Sequence, residues 1–302
     1  MENKRVRIVV LNYNQAEYTL STVNYLLKQN YKNIEIFVVD NASKEIEYQI
    51  LKNKLPKGIE LIKSNTNHGY SKGNNLGCRF PSKLHIDYYL ILNNDVIIED
   101  NDFIFKLIKS IEDNLYLNVV AASPIVDTVS SKISIENQIQ VRRIVPFIEQ
   151  LIVNSPFLNK IFYRVFNRYI YKYEMPYLNK YTICESINGA AFLIKGDVFR
   201  DNNYLDEGTF LFLEELILGK QLKNNGFKCV LDGFSSIKHL QGVSTKSNKN
   251  QYNIKMEFEK INSEIYYFKN YFNVPIWVLF IIRQLRITEM YILSILKVYI
   301  LK

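Results

Sequence analysis

One apolar run of the sequence is interrupted by three side chains that could take part in chemistry. Residues 88–100 read YYLILNNDVIIED, in which Asn93, Asn94 and Asp95 separate two apolar segments. Burying Asp95 without a partner would be costly, so we expect it to meet a surface turn, a basic side chain or a metal ion. His239, in the stretch IKHLQGVST, is a second candidate metal ligand, because imidazole suits manganese and similar ions. A lone histidine is more often structural, unless the fold brings it to Asp95.

Three other apolar runs also end in short polar clusters. The clusters are Asn12-Tyr13-Asn14, Asp40-Asn41 and Asn65-Thr66-Asn67. A carboxylate at a strand end, such as Asp40, is able to accept the imide N–H of uracil or thymine. A turn acid in an Asp-Asn-x-Ser sequence is the plainer explanation, and for Asp40 alone it is the better one. Asn93 is a candidate for a hydrogen bond to a ribose.

The loop NHGYSKGNN, residues 67–75, carries two glycines and three amide side chains around Lys72. Gly69 and Gly73 permit a ligand to approach the backbone closely, and Lys72 is placed to meet a phosphate. A helix start with turn glycines explains the same pattern without a ligand. The loop by itself is therefore a weak indication of phosphate binding.

A pair of acids, Glu214 and Glu215, follows aromatic and aliphatic residues in DEGTFLFLEELILGKQL. Apolar neighbours raise the pKa of a carboxyl group, which is useful in a general base. Acids are also favoured at the start of a helix, where the helix dipole stabilises negative charge. Taken alone, the pair is better explained by the helix start.

The elements that must position these residues alternate between strands and helices. Strand-like runs at five places in the first 125 residues are separated by helical patterns, and they lie at 7–11, 34–40, 59–64, 88–92 and 118–124. This alternation predicts βαβ units and a mostly parallel sheet. Ligands of such sheets bind beyond the carboxyl ends of the strands, where the polar clusters lie. A second α/β portion is predicted from about 183 to 240.

Composition narrows the class of protein. The chain has 302 residues, 48% of them hydrophobic, and a net charge of +8, so anionic partners are favoured over cationic ones. Its three cysteines, Cys78, Cys184 and Cys229, form no CxxC pair and are typical of a reducing cytosol. We see neither a signal-peptide pattern nor an uncharged apolar stretch of about 18 residues, so we expect a cytosolic protein.

Two segments outside the α/β pattern have their own distribution of charge. In residues 142–173, basic side chains recur every four residues on one helical face, opposite an aromatic face; they are Lys160, Arg164, Arg168 and Lys172. Such a helix either binds a membrane surface or packs on its own domain, and the sequence favours neither. The apolar tail, 275–302, suits an interfacial or buried helix better than a membrane span. Its Arg283, Arg286 and Glu289 share one sector.

The order of the motifs resembles that of family 2 glycosyltransferases with the GT-A fold, especially the rhamnosyltransferase-like members that build bacterial surface polysaccharides. VVLNYN resembles the opening strand of the family, VVDNAS its base-binding aspartate, and LILNNDV its metal-binding DxD motif. NHGYSKGNN, INGAAFLIKGDVF, FLFLEEL and HLQGVST then match the glycine loop, the acceptor-side strand, the catalytic acids and the downstream histidine motif. The resemblance covers roughly residues 6 to 245.

The resemblance implies a single, mostly parallel, twisted sheet with flanking helices, a helical insertion and a C-terminal helical tail. We expect a GT-A domain over 1–250, followed by a helical and membrane-associating tail over 251–302. Within the domain we expect three parts, namely a nucleotide-sugar half at 1–125, the basic insertion at 130–180 and an acceptor half at 181–250.

The resemblance also implies an inverting transfer of a hexose from a UDP- or dTDP-sugar. Asp95 and His239 would hold Mn²⁺ or Mg²⁺, and Glu215, next to Glu214, would be the base that deprotonates the acceptor. The nucleotide would contact Asn12, Tyr13, Asn14, Asp40, Asn41, Asn67, Gly69, Lys72, Gly73, Asn74, Asn93 and Asn94. Both UDP and dTDP stay open, because they present the same imide edge to Asp40.

This sequence departs from the family pattern at three points. The DxD motif is Asn-Asn-Asp, the usual Glu-Asp pair is Glu214-Glu215, and the Asp and Arg that often follow are Ile217 and Gln221. The last two departures bear on the helix contacts and on the acceptor. The expected acceptor is a polyprenyl-linked glycan of bacterial surface polysaccharide synthesis, reached from the inner face of the cell membrane.

Two other classes of function explain fewer of these features. A sugar nucleotidyltransferase would need an N-terminal glycine-rich loop with Arg or Lys, and VVLNYNQAEY contains no glycine. A non-enzymatic module that binds nucleic acid or membranes would place basic residues at the strand ends, which here carry acids and amides. We therefore expect no nucleic-acid partner.

Overall fold

The structure is a computed structural model that describes residues 3–129, 140–162, 177–240 and 254–300. Nine strands in this part of the chain form one sheet. They are β1 (Val6–Asn12), β2 (Ile34–Asn41), β3 (Glu60–Ser64), β4 (Tyr88–Asn93), β5 (Val96–Ile97), β6 (Val119–Thr128), β7 (Tyr181–Cys184), β8 (Ala191–Lys195) and β9 (Lys228–His239). The order across the sheet is β3-β2-β1-β4-β8-β6-β9-β5, and β7 also pairs with β9.

Helices cover both faces of this sheet. Described in chain order, they are α1 (Ala16–Leu27), α2 (Glu45–Lys54), α3 (Gly69–Cys78), α4 (Phe103–Glu112), α5 (Phe147–Asn154), α6 (Gly196–Asp201), α7 (Glu214–Asn224), α8 (Ile254–Phe272) and α9 (Ile276–Ile300). A short 3₁₀ turn, Leu115–Leu117, precedes β6. The helices on the two faces explain why the central strands are apolar on both sides.

The first half of the chain folds as its apolar pattern predicts. In β1, Val6, Ile8 and Val10 belong to the hydrophobic core on one face of the sheet, whereas Val9 belongs to the core on the other face. Side chains alternate between faces along a strand, so a strand buried on both sides reads as a continuous apolar run. β1 to β4 are parallel to one another, as predicted.

The α/β prediction with a mostly parallel sheet is confirmed. The parallel group β1 to β4 is extended by β6 and β9, because β8 pairs in antiparallel fashion with both β4 and β6. The three short strands β5, β7 and β8 run in the opposite direction. The second half of the sheet is therefore mixed, which the apolar runs alone do not reveal.

A third hydrophobic core lies away from the sheet and unites the middle segment with the C-terminal helices. Ile144, before α5, packs with Leu216 of α7 and with Tyr267 and Phe268 of α8, and Leu279 of α9 belongs to the same core. The tail thus packs on the half that carries Glu214 and Glu215. Of the basic stripe, only Lys160 lies within the described residues; Arg164, Arg168 and Lys172 lie outside them. In the described part of the chain no helix is both long and apolar enough to cross a membrane.

Candidate functional site

Asp95 and His239 lie side by side beyond the end of β4. Asp95 is in the turn after β4, and β5 then pairs with β9 so that Val96 lies opposite His239. The Nε2 atom of His239 is 3.1 Å from Oδ1 of Asp95. Both side chains are largely enclosed, with 4% of Asp95 and 14% of His239 exposed. The fold therefore brings together the two side chains that the sequence offers as metal ligands.

The chemistry of this pair fits a divalent ion that accepts oxygen and imidazole ligands. Among the described residues, no group of three or more histidine, cysteine, aspartate or glutamate side chains is placed to hold a metal. One carboxylate and one imidazole leave most positions around Mn²⁺ or Mg²⁺ to other donors. An ion at Asp95 and His239 would therefore take further oxygen ligands from a phosphate or from water.

Asn93 connects this pair to the second half of the sheet. Its Nδ2 atom lies 3.4 Å from Nε2 of His239, and its backbone N–H donates to the carbonyl of Ala190 at 2.9 Å. Ala190 follows Gly189 in the turn that leads into β8. Asn93 is half-buried at this junction, so its amide is accessible to a ligand that approaches the strand ends.

Asn94 has a different role from its two neighbours. It is buried, and its Nδ2 donates to Oγ1 of Thr19 at 3.0 Å. The hydroxyl of Thr22 in turn donates to the carbonyl of Asn94 at 2.7 Å. These contacts hold α1 against the turn that carries Asp95. The structure thus gives the Asn94 side chain a positioning role, and its contact with a nucleotide stays a prediction.

Asp40 is fully buried in a hydrogen-bond network at the end of β2. Its Oδ1 accepts from Nδ2 of Asn12 at 2.8 Å, and its Oδ2 accepts from the backbone N–H of Ser43 at 3.2 Å. The hydroxyl of Thr19 donates to Oδ1 of Asn12 at 2.8 Å, which fixes the orientation of that amide. Asp40 is fully enclosed, and both of its carboxylate oxygens have partners within the protein.

The loops after β1 and β2 hold strained backbone. Asn14 has φ 56° and Ala42 has φ 62°. Left-handed backbone at a residue other than glycine costs about 1–3 kcal/mol and is concentrated at functional sites. Here it is fixed by hydrogen bonds, since Ser43 Oγ accepts from the N–H of Asn14 at 2.8 Å and Asn14 Oδ1 accepts from the N–H of Lys44 at 2.7 Å. Tyr13 is 40% exposed beside these loops, so a ligand can contact its ring.

Asn41 holds the loop that precedes α3. Its Nδ2 donates to Oδ1 of Asn67 and to the carbonyl of Gly69, both at 3.0 Å. Its Oδ1 accepts from the backbone N–H of His68 at 2.9 Å, and Oδ1 of Asn67 accepts from the N–H of Gly69 at 2.9 Å. Asn41 and Asn67 therefore shape the loop from within.

The first turn of α3 contacts the segment before α7. The backbone N–H of Tyr70 donates to the carbonyl of Phe210 at 2.9 Å. Gly69 has φ +74°, and a Cβ atom there would lie 1.9 Å from the Phe210 carbonyl oxygen, so only glycine fits. The N–H groups of His68, Gly69 and Tyr70 all have partners within the protein. The close approach predicted at Gly69 is thus made by the protein's own chain, which leaves these N–H groups no free bond for a phosphate.

Gly73, Asn74 and Lys72 all lie on α3, but their surroundings differ. A Cβ atom at Gly73 would lie 2.7 Å from a methyl carbon of Leu11, so this glycine lets the helix pack closely on β1. Asn74 is buried, and its Nδ2 donates to the carbonyl of Tyr70 at 3.0 Å. Lys72 is exposed, which leaves its ammonium group accessible to a phosphate. The close approach at Gly73 is therefore to the sheet rather than to a ligand.

Glu214 is a buried acid at the start of α7, 7% exposed. Burial raises the pKa of its carboxyl group, and the charge of Glu215 raises it further, to about 8. Its Oε1 atom is enclosed and has no hydrogen-bond partner among the described residues. A carboxyl group with this pKa is mostly protonated at neutral pH, so Glu214 is a poor candidate for the base of a reaction at pH 7.

Glu215 lies beside the turn that carries Gly189. A Cβ atom at Gly189 would lie 3.9 Å both from Oε2 of Glu215 and from the hydroxyl oxygen of Tyr70. The Tyr70 hydroxyl donates to the carbonyl of Gly189 at 2.6 Å. Burial raises the pKa of Tyr70, and the charges of Glu214 and Glu215 raise it further, so Tyr70 stays protonated and keeps this hydrogen bond. The half-buried carboxylate of Glu215 therefore lies next to the turn before β8 that Asn93 also contacts.

The backbone before these acids is strained. Phe212 has φ 77° and Leu213 has φ 70°, both in the left-handed region that bulky residues rarely adopt. Strain of this kind costs about 1–3 kcal/mol at each residue and persists where the surrounding structure enforces it. Two hydrogen bonds hold the residues just before it, from Tyr70 to the Phe210 carbonyl at 2.9 Å and from Ser263 to the Leu211 carbonyl at 2.7 Å.

Four residues of this site were not among the predicted site residues. Tyr70 and Gly189 lie beside Glu215, whereas Thr19 and Ser43 position Asn12 and Asp40. Tyr70 and Ser43 both lie inside the motifs quoted above, as the aromatic residue of the glycine loop and as the serine of VVDNAS. Nothing in the sequence alone marks Thr19, because its role depends on how α1 packs over the strand end.

Comparisons with known proteins agree with this architecture. The family model described as Glycosyl transferase family 2 matches residues 7–175. A protein of Haemophilus influenzae named "Uncharacterized glycosyltransferase" is 28% identical over 127 residues, which is 40% of this chain and 38% of that protein. The alignment thus spans less than half the length of this relative.

Two solved structures share the fold at low sequence identity. GalNAc-T7 with UDP, GalNAc and Mn²⁺ has a TM-score of 0.58 and 16% identity, with 88% of this chain and 48% of that chain covered. The mannosyltransferase PcManGT from Pyrobaculum calidifontis, in complex with GDP-Man and Mn²⁺, has a TM-score of 0.55 and 12% identity, with 91% and 66% covered. At these identities the likeness shows a shared fold.

Proposed function

The chain belongs to glycosyl transferase family 2, and on that premise we propose that it transfers a hexose from a UDP- or dTDP-sugar to a hydroxyl group of a glycan acceptor, with inversion at the anomeric carbon. One observation carries the proposal. Asn93 contacts His239, the neighbour of Asp95, on one side and Ala190 on the other, and Glu215 lies at the adjoining Gly189.

The donor nucleotide would bind at the ends of β1, β2 and β4. Tyr13 and Lys72 are exposed there. The ring of Tyr13 would contact the nucleobase, the ammonium group of Lys72 would bind a phosphate, and the Asn93 amide would bind the ribose. Asp40 would accept a hydrogen bond from the imide N–H of the nucleobase after the turn at Ser43 has moved. Asn12, Asn14, Asn41, Asn67 and Asn94 would hold the surrounding loops through the hydrogen bonds described above. The fold neighbours are complexed with UDP or GDP-Man, which supports a nucleotide-sugar as the donor.

Asp95 and His239 would hold the divalent cation that this donor requires. Both fold neighbours contain Mn²⁺, which supports a metal of this class. A bound divalent cation supplies stabilisation of the negative charge that develops on the departing diphosphate.

Glu215 would act as the base. It makes no hydrogen bond or ion pair within the described residues and is half-buried, so its carboxylate is available to an incoming hydroxyl. In the transfer the acceptor oxygen forms a bond to the anomeric carbon, the bond from that carbon to the diphosphate oxygen breaks, and its electron pair leaves with the nucleoside diphosphate. The hydroxyl proton passes to Glu215. Glu214, mostly protonated at neutral pH, adds little charge beside it.

The C-terminal helix α9 would place the enzyme on the inner face of the cell membrane. Large apolar side chains on one side of this helix are exposed, among them Ile276 at 77% and Trp277 at 68%, followed by Phe280, Ile281 and Leu285. Exposed apolar stripes of this extent are typical of interaction sites, and tryptophan favours the membrane interface. The net charge of +8 favours an anionic leaflet. This placement suits a lipid-linked acceptor in polysaccharide synthesis.

We also propose a division of the chain. Residues 1–125 would form the nucleotide-sugar half and 181–250 the acceptor half of one domain over 1–250, with 251–302 as a helical tail. The packing of Tyr267 and Phe268 against Leu216 supports treating the tail as a structural part of the acceptor half.

Calorimetric titration with UDP and with dTDP, with and without Mn²⁺, tests the donor site. We expect one of the two nucleotides to bind only with Mn²⁺, and Asp95→Asn to abolish that binding, because the substitution removes the charged metal ligand. Asp113→Asn is the matched control, since Asp113 pairs with Lys109 on the surface. If Asp95→Asn binds the nucleotide as tightly as the wild type does, the proposed site is wrong.

A further inference from the structure

A cavity of about 940 Å³ lies between α4, the loop that precedes β2 and the middle of β9. Its volume is within the range of about 300–1,000 Å³ that is typical of ligand-binding clefts. Asn33, which lines it, directly precedes β2, whereas Asp40 of the proposed nucleotide site lies seven residues farther along the same strand. At a rise of about 3.3 Å per residue, the two positions are about 23 Å apart. None of the described residues that line the cavity belongs to the proposed donor, metal or catalytic site.

An irregular segment of β9 forms one wall of this cavity. The register between β6 and β9 shifts after Asp232, so residues 233–235 have no counterpart among the described pairs of these two strands. Gly233 permits this bulge, because a Cβ atom there would lie 1.9 Å from the carbonyl oxygen of Tyr177. Bulges of this kind re-aim side chains and are common next to functional sites. This one contains Phe234, which lines the cavity and is 45% exposed.

The cavity has an aromatic wall. The rings of Phe234 and Tyr181 pack edge to face, with their centroids 5.2 Å apart and 78° between their planes. Phe105 and Tyr31 also line the cavity. Because Phe234 is partly exposed, some of its ring is free to contact a ligand. A sugar presents C–H groups on the faces of its ring and hydroxyl groups at the rim, so it can pack on an aromatic side chain while polar groups bind its hydroxyls.

Asp232 supplies a polar group beside this wall. It is fully buried, and its Oδ1 accepts from the backbone N–H of Phe234 at 3.0 Å. Burial raises the pKa of its carboxyl group, and the Phe234 N–H and the Ser235 hydroxyl act in the opposite direction. In the described part of the chain, however, neither Oδ2 of Asp232 nor Oγ of Ser235 has a hydrogen-bond partner of normal geometry. Buried polar atoms normally have partners, and a ligand hydroxyl would supply one for Oδ2.

The charges around the cavity favour a neutral ligand. Nζ of Lys106 donates to Asp100 at 2.6 Å, and Nζ of Lys109 donates to Asp113 at 2.7 Å. The third lysine, Lys32, is exposed and donates to a backbone carbonyl at 2.7 Å. A phosphate would have to break these pairs and would lie close to the carboxylate of Asp232, whereas a cationic ligand would be repelled by the three lysines.

We infer that this cavity is a second binding site, and that it binds a neutral saccharide. A sugar ring packs on Phe234, and one of its hydroxyl groups donates to Oδ2 of Asp232. The inference goes beyond the proposed transfer reaction, because the cavity lies far from the donor site and from Glu215. A saccharide bound here stays on the enzyme whether or not a donor is bound.

Saturation-transfer NMR on the full chain, with cellobiose, lactose and N,N′-diacetylchitobiose as probes, tests the inference. We expect at least one of these neutral disaccharides to bind, with the strongest transfer to C–H groups on one face of a sugar ring. Phe234→Ala should weaken that binding about tenfold, because it removes the aromatic contact. Asp232→Asn should weaken it by a similar factor, because an amide oxygen is a poorer acceptor than a carboxylate. Phe280→Ala is the matched control, since Phe280 is 63% exposed on α9 and does not line the cavity.

Two further titrations separate this cavity from the proposed reaction site. The disaccharide should stay bound when UDP or dTDP is added with Mg²⁺, and it should bind Glu215→Gln as it binds the wild type. The inference is overturned if none of the three probes binds, if Phe234→Ala binds as tightly as the wild type, or if inorganic phosphate displaces the sugar. It is also overturned if a nucleotide or the Glu215→Gln substitution abolishes binding, which would place the sugar at the reaction site. A wild type that binds a disaccharide through Phe234 but binds neither nucleotide would support this inference and refute the proposed donor.

Discussion

Replacing Glu214 with glutamine should change how the stability of the protein depends on pH. Glutamine has nearly the shape of a protonated glutamate but cannot ionise. Two causes raise the pKa of Glu214 from 4.5 to about 8. The larger is burial, and the second is the charge of Glu215. In the unfolded chain neither cause acts, so the folded protein holds a proton that the unfolded chain has released.

The size of the effect follows from these two pKa values. Between them the unfolded state binds fewer protons than the folded state, so the free energy of unfolding falls as the pH rises. One unit of pKa difference corresponds to about 1.4 kcal/mol. The comparison is with a protein in which residue 214 cannot ionise. Relative to it, the free energy of unfolding of the wild type should be lower by about 1 kcal/mol at pH 5, about 3 kcal/mol at pH 7 and about 5 kcal/mol at pH 9.

Urea denaturation at pH 5, 7 and 9 measures this difference. Relative to the wild type, Glu214→Gln should gain about 4 kcal/mol of unfolding free energy between pH 5 and pH 9, whatever its offset at a single pH. Glu17→Gln is the control, because the Glu17 side chain is 66% exposed and pairs with Lys54 on the surface. At pH 7 Glu215→Gln should lose about 10²- to 10⁴-fold of the transfer rate, and Glu214→Gln should lose less.

A constant difference between Glu214→Gln and the wild type from pH 5 to pH 9 would refute the argument. It would mean that the Glu214 carboxyl is solvated or that it gains a partner when it ionises. A rate that falls in Glu214→Gln and not in Glu215→Gln would assign the base to Glu214. A reduced pH dependence in Glu215→Gln would support the second cause, since removing the Glu215 charge should lower the pKa of Glu214.

Three other outcomes test the architecture around the site. Arg286→Met should lower the unfolding free energy by about 3–5 kcal/mol, because it leaves the buried Glu264 unpaired. Adding Glu264→Gln should restore most of this loss in the same urea assay. A double variant no more stable than the single one would contradict the pairing. Gly69→Ala should lower the thermal midpoint more than Gly58→Ala does. Both glycines have positive φ, but only at Gly69 would the new Cβ atom lie 1.9 Å from a carbonyl oxygen, that of Phe210. Equal decreases would show that the Phe210 segment moves away at little cost. The fluorescence of Trp277, the single tryptophan, should shift to shorter wavelength with anionic vesicles and not with neutral ones, and an unchanged spectrum would argue against membrane binding through α9.

Much of the fold follows from the sequence alone. The first four strands were predicted within about two residues of their ends, because strands buried on both faces are read directly as apolar runs. The polar residues at their ends were also correctly expected to converge, since the carboxyl ends of parallel strands meet at one edge of the sheet. The mixed second half could not be read in this way, because the direction of β8 depends on its pairing with the distant strands β4 and β6 and not on its own composition.

Within the site, the sequence determined which side chains could do chemistry, and the tertiary structure decided which of them meet. A lone histidine has no predictable neighbour, and only the pairing of β5 with β9 brings His239 to Asp95. The glycine loop reads as a phosphate cradle, yet the N–H of Tyr70 is taken by Phe210, a residue far along the chain. Likewise the apolar tail does not reveal from its composition that Arg286 is buried against Glu264 while Trp277 is exposed. Local patterns fix which residues are apolar, charged or flexible, whereas contacts between distant segments depend on how the completed elements pack.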